Sequence, residues 1–251
     1  MTAQIQLQDQ ATRTTDPAAR AQQVLRERAD QLRGELETKV ELATLLLAPP
    51  ARAQAHEGLL GFCTHRLVPD LLAIDQTVYA AATGASETRL LVRALRTQHN
   101  LLGDYISALR QTVDPEQIAA TAHLLLGLWH GYQHIEQTVL LPALAELPGM
   151  DLPALVHDMD ILLAGGMLET PDRLDVCEMP PAARHPRIFG IYSRLAPGES
   201  FVLVDDHDPA PLRREFAAAY PDQYSWDCYQ SRLDRWNVRI GRPTDPDRAD
   251  G

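Results

Sequence analysis

Over most of the first 165 positions, apolar residues recur at intervals of three and four, the spacing that gathers them on one side of an α-helix. Asp16-Pro17 opens a first helix that runs to about Leu47, where APPAR breaks the pattern. A second stretch runs from about Arg52 to Ala82, with a kink expected at Pro69, and stops at Thr83-Gly84. A third spans about Glu87 to Gln111. Asp114-Pro115-Glu116 starts a fourth that continues to about Leu147, with Asp114 in the N-cap position and Pro115 in the first turn. A shorter helix, Leu152 to Leu163, precedes Gly165-Gly166. Four long amphipathic helices with short connections predict an antiparallel four-helix bundle.

From Arg173 the period changes. RLDV and FVLV are short β-type runs, and DQYSWDCYQ and RWNVRIG read as two more strands. Helical patterns lie between them at about Ala183 to Leu195 and Pro211 to Tyr220. The order βαβαββ predicts a two-layer α/β sandwich. The fold class is therefore mainly α: a helical bundle over residues 16–165 and a small α/β domain over 166–243. The polar ends, 1–15 and 244–251, are expected to be disordered.

Composition narrows the partners. Apolar residues make up 45% and charged residues 23% of the 251 positions, an ordinary globular balance. The net charge of -11 argues against nucleic acid and anionic membrane as partners, since both require a basic surface. No apolar run reaches bilayer-spanning length, and MTAQIQLQDQATRTTDPAAR lacks a signal-peptide core. Cys63, Cys177 and Cys228 lie far apart without CxxC spacing, which fits a reducing compartment, so a cytoplasmic location is expected.

At 100° per residue, spacing becomes direction. Leu125, Leu128, Trp129, Tyr132, Ile135, Val139 and Ala143 share one side of the fourth helix, with Glu136 at its margin. His123, His130 and His134 fall on the opposite side, read as a polar face turned to solvent or to the second domain. His99 lies within the apolar stripe of the third helix, and His56 and Asp70 within that of the second. Buried carboxylates are costly unless paired, protonated or bound to metal. Asp70, His99, Tyr132 and Glu136 are accordingly the candidate metal-binding set, expected to converge at one level; the competing reading is a hydrogen-bonded network that fixes helix register.

In the α/β domain, parallel pairing of the first two strands places their C-terminal ends on one sheet edge, where α/β folds commonly bind ligands. His185 would open the helix after the first strand, and His207 lies in the turn after the second. Asp205, Asp206 and Asp208 flank His207 and are suited to orient its ring or to join it on a metal. His185, His207, Asp206 and Asp208 form the candidate cofactor-binding set, with the fourth helix's histidine face as a further wall. Capping of the next helix explains Asp208-Pro209 without any ligand.

HRLVPDLLAIDQTVYAAA resembles the hemerythrin-like (HHE cation-binding) segment written LVPHLxAEExxLY; TQHNLL and YQHIEQTVLLPAL resemble that family's next two ligand-bearing helices. The resemblance spans roughly residues 20–165 and implies a bundle holding a non-haem di-iron centre. The ligand set departs from the family's: Asp70 replaces a histidine, Ile74 a glutamate and Tyr132 a histidine, and no histidine precedes His56. Only His99 and Glu136 match, which leaves a mononuclear or degenerate iron site. LDV…PPAARHPRIF, PGESFVLVDDHDPAPL, YSW and WNVRI, across residues 172–241, resemble the domain of unknown function 2249, related in fold to TusA/SirA-like sulfur carriers. The carriers' Cys-Pro is replaced by Pro180-Pro181, so sulfur relay is not implied.

No nucleophile elbow, phosphate loop, CxxC or HExxH occurs. Two functions remain. One is an iron- or haem-dependent redox protein acting in oxidative or nitric-oxide-related chemistry. The other is a metal-free, non-enzymatic sensor or scaffold whose α/β domain takes a small-molecule ligand or partner.

Overall fold

The computed structural model describes residues 16–45, 48–232 and 235–244; the disorder expected for 1–15 and for nearly all of the C-terminal tail lies outside these residues. Helix α1 (Pro17–Thr44) starts where Asp16 accepts a hydrogen bond from the Ala18 amide at 3.0 Å, and it buries Leu25, Leu32, Leu36 and Val40 along one stripe. A continuous helical rod follows: α2 (Pro49–Phe62), a π turn π1 (Cys63–Leu67), α3 (Val68–Ile74), π2 (Asp75–Tyr79) and α4 (Ala80–Thr83). Helix α5 (Ser86–Gln111) leads to α6 (Pro115–Ile135), π3 (Glu136–Leu140) and α7 (Leu141–Glu146); α8 (Leu152–Leu163) completes the helical region. Asp114 occupies the N-cap position of α6, but its side chain makes no capping bond.

α6 packs against α1 and α5, and α1 also meets α2 and α8. One continuous core results, drawn from residues between Ala21 and Met159. The expected kink at Pro69 is absorbed by π1, where the Val68 amide reaches back five residues to Cys63. A proline ring clashes with the carbonyl four residues earlier, and a wider turn at that point relieves the crowding. Pro142 sits in the same relation to π3, where the Leu141 amide bonds the Glu136 carbonyl.

The C-terminal region carries β1 (Arg173–Asp175), α9 (Pro181–Arg194), β2 (Ser200–Asp205), α10 (Ala210–Ala219), β3 (Ser225–Arg232) and β4 (Arg235–Gly241). The mixed sheet has the order β1-β2-β4-β3, with β1 and β2 parallel and the remaining pairs antiparallel. Phe201, Leu203, Val238 and Ile240 pack with Ile188, Phe189, Tyr192, Leu212 and Phe216 from the two helices as a second core. Alternate strand positions such as Arg239 and Asp227 are exposed, the period-two pattern of a sheet covered on one face. Helix α9 docks on α4 and π2, and among the described residues no helix is long and apolar enough to cross a membrane.

Candidate functional site

The helical core contains a polar cluster. Tyr79 ends π2, and its hydroxyl donates to Glu136 Oε2 at 2.9 Å while lying 2.6 Å from the Tyr132 hydroxyl. A phenol carries one proton, so Tyr132 donates to Tyr79 and Tyr79 to Glu136. The His99 ring stacks on Tyr79, centroids 5.4 Å apart, and tilts against Tyr132 at 4.9 Å. Asp70, Tyr132 and Glu136 line a cavity of about 10 Å³ together with Arg28, Ile74 and Trp129. Tyr132 thus touches the His99 ring, shares the small cavity with Asp70 and Glu136, and reaches Glu136 through the Tyr79 hydroxyl, while His99 lies outside that cavity.

Burial sets the protonation states. It lifts Glu136 to about 7 against the two tyrosine hydroxyls, which act to lower it. Asp70 rises to about 6 through burial, opposed by Arg28 and then Arg66. Burial pushes His99 down to about 4, so its ring is neutral at pH 7, and its Nε2 has no hydrogen-bond partner among the described residues. Both phenols are driven well above the usual range, by burial first and the Glu136 charge next.

These donors do not fit a di-iron centre. Among the described residues, Asp70, His99 and Glu136 do not bring ligand atoms within 4.8 Å of one another as a group of three. The tyrosines are held as hydrogen-bond donors rather than phenolates, and α1 meets the cavity with Leu25, Arg28 and Ala29. A volume of about 10 Å³ admits about one water molecule. On their outer sides His99 lines a cleft of about 320 Å³ with Leu71, Leu72 and Asn100, and Asp70 lines one of about 560 Å³ with Arg28, His65 and Arg66.

Tyr79 is the member the helical pattern did not point out. It lies in the apolar run VYAAA, next to Val78 on the helix; the π turn, whose Ala80 amide bonds the Asp75 carbonyl, lets Val78 and Tyr79 both face inward. The available signal was the tyrosine of the LVP…LY motif.

In the α/β domain the two histidines have separate partners rather than one pocket. Helix α9 begins at Pro181, so His185 falls in its second turn, and its Nδ1 lies 3.0 Å from Glu215 Oε2 on α10. His207 Nδ1 lies 2.5 Å from Asp206 Oδ1. Ligand atoms of Asp205, Asp206 and His207 approach one another within 4.8 Å, yet Arg184 Nη1 sits 3.0, 2.7 and 3.0 Å from them. Its guanidinium, held also by the Met179 and Cys177 carbonyls, takes the place a cation would need. Arg184 first, then His207, holds the Asp206 carboxyl far below the ordinary range. Asp208 Oδ1 accepts from the Ala210 amide at 2.9 Å, which is helix capping.

The histidine stripe of α6 does not face the α/β domain. His123, His130 and His134 are exposed, and His130 Nε2 meets Glu37 of α1 at 2.9 Å. The α/β domain docks elsewhere, through Arg194 to Asp158 (2.5 Å) and Arg89 to Glu215 (3.4 Å). His56 is satisfied by the Leu109 carbonyl at 2.8 Å.

Residues 173–242 match the family described as an uncharacterized conserved protein, DUF2249, so the mixed sheet with its two helices is the segment that this family covers. No curated protein and no solved structure matches the chain.

Proposed function

We propose that the helical region is a hemerythrin-like four-helix bundle in which a tyrosine–glutamate hydrogen-bond cluster stands where that family holds its metal. On this reading the chain is a non-enzymatic sensor or scaffold, and its α/β domain carries the binding. The supporting observation is the Tyr79 hydroxyl, which bridges Tyr132 and Glu136 and so occupies the donor atoms that a metal would take. The landmarks LVP and LLPAL and the four long helical segments support the bundle. Metal analysis and the visible spectrum of protein expressed with added iron and manganese provide the test. The expected outcome is metal far below one ion per chain and no Soret or iron–oxo band.

The unpartnered Nε2 of His99 favours a second reading, a redox protein with mononuclear iron on Asp70, His99, Tyr132 and Glu136. Iron near one ion per chain, lost in His99→Ala and kept in His130→Ala, would replace the first reading with this one.

A further inference from the structure

Where the α/β domain meets α5, a cleft of about 360 Å³ is lined by Arg89, Arg93, Arg96, Tyr220 and Arg242, with Ser193 and one carboxylate, Asp75, also in its wall. We propose that this cleft binds a small phosphorylated, dianionic ligand.

The charge balance is the first argument. Four guanidiniums converge in a chain whose net charge is -11. Among the described residues, the carboxylates paired with them are Asp75, 2.6 Å from Arg96 Nε, and Glu215, 3.4 Å from Arg89 Nη2. The surplus is two positive charges, which matches a phosphate monoester at neutral pH. Arg93 and Arg242 instead donate to backbone carbonyls, of Ala218 at 2.6 Å and Leu195 at 2.9 Å, one nitrogen each. A guanidinium has five N–H donors in a planar fork, so each keeps donors for an oxyanion.

The second argument is a buried hydroxyl. Tyr220 is only 7% exposed, and its hydroxyl lies beside the Arg96 guanidinium without a hydrogen bond of good geometry, which leaves its proton for a ligand entering the cleft. A phosphate oxygen would satisfy it. The volume exceeds that of inorganic phosphate and suits a small ester.

Both domains supply the walls: Arg89, Arg93 and Arg96 come from α5, while Ser193, Tyr220 and Arg242 come from the α/β domain. The ligand would therefore tighten domain docking. This deepens the sensor reading by naming the ligand class, and rests on it only for that coupling.

Isothermal titration with inorganic phosphate and pyrophosphate, with acetate and chloride at matched ionic strength, tests the assignment on the full chain. Both phosphates are expected to bind, and Arg93→Gln and Arg242→Gln to weaken them about tenfold or more, the cost of a lost charge-assisted hydrogen bond. Tyr220→Phe should weaken them less while leaving the fold intact by circular dichroism. Equal binding of acetate, unchanged affinity in folded Arg242→Gln, or no binding of either phosphate would overturn the proposal. None of these outcomes bears on the metal content that tests the core.

Discussion

Glu136 and His99 contact the same tyrosines and titrate in opposite senses. Glu136 is raised from 4.5 to about 7, so the native state holds its proton more tightly than the unfolded chain, and its contribution to stability falls as pH rises through that window. His99 is lowered from 6.5 to about 4, so the native state resists protonation and loses stability as pH falls from 6.5 to 4. The two slopes offset each other between about pH 4.5 and 6.5. Asp70, raised to about 6, adds to the limb that falls with rising pH. Glu136→Gln keeps an acceptor for Tyr79 and removes one titration. Urea denaturation should find this variant gaining about 3 kcal/mol relative to the parent between pH 4.5 and 7.5. A difference independent of pH would mean that Glu136 titrates in the core as it does in water.

At the scale of elements, the π turns decide which residues face inward. Continuing the α-helical register from Tyr132 and Ile135 places Val139 and Ala143 in the core. The five-residue bond of π3 adds one position, and burial moves to Leu140 and Leu144. Val139 is 50% exposed and Leu140 fully buried. Val139→Glu should therefore change stability by less than about 0.5 kcal/mol, while Leu140→Ala should cost about 2–5 kcal/mol. Both are read from chemical denaturation midpoints, and a Val139→Glu variant as damaged as Leu140→Ala would return this segment to an α-helical register. Pro69 and Pro142 make two of these turns readable in retrospect, since each ring would crowd the carbonyl four residues earlier, of His65 and Thr138, inside the turn that widens.

For the whole molecule, the docking of the two regions depends on close backbone approach. Gly149, between α7 and α8, has φ +77°, and a Cβ there would lie 2.3 Å from the Ala182 carbonyl group next to the start of α9. Gly84, at the end of α4, is a milder case, with 3.1 Å from a Cβ to the His185 carbonyl. Gly149→Ala combines an unfavourable backbone conformation with a steric clash, and should cost about 2–5 kcal/mol. Calorimetry should separate one unfolding transition into two as the α/β domain loses its seat. A variant that melts as the parent does would show that the contact does not hold the regions together.

What the sequence determined by itself is what local periodicity encodes. The helical segments, the order of strands, the Asp16 start and the inward stripes of His99, Tyr132 and Asp70 follow from neighbours three or four residues apart, or two apart in a strand. The tertiary structure decided what depends on partners distant in the chain. Tyr79 joined the cluster because a π turn rotated it onto Tyr132 and Glu136, 53 and 57 residues away. Arg184 reached across 22 residues to Asp206 and filled a site that Asp205, Asp206 and His207 had suggested as a metal site. No pattern in the sequence singles out Arg89, Arg93 and Arg96. Their convergence with Arg242 and Tyr220 arises only where the two regions dock, since no local period carries the position of a charge brought in from another element.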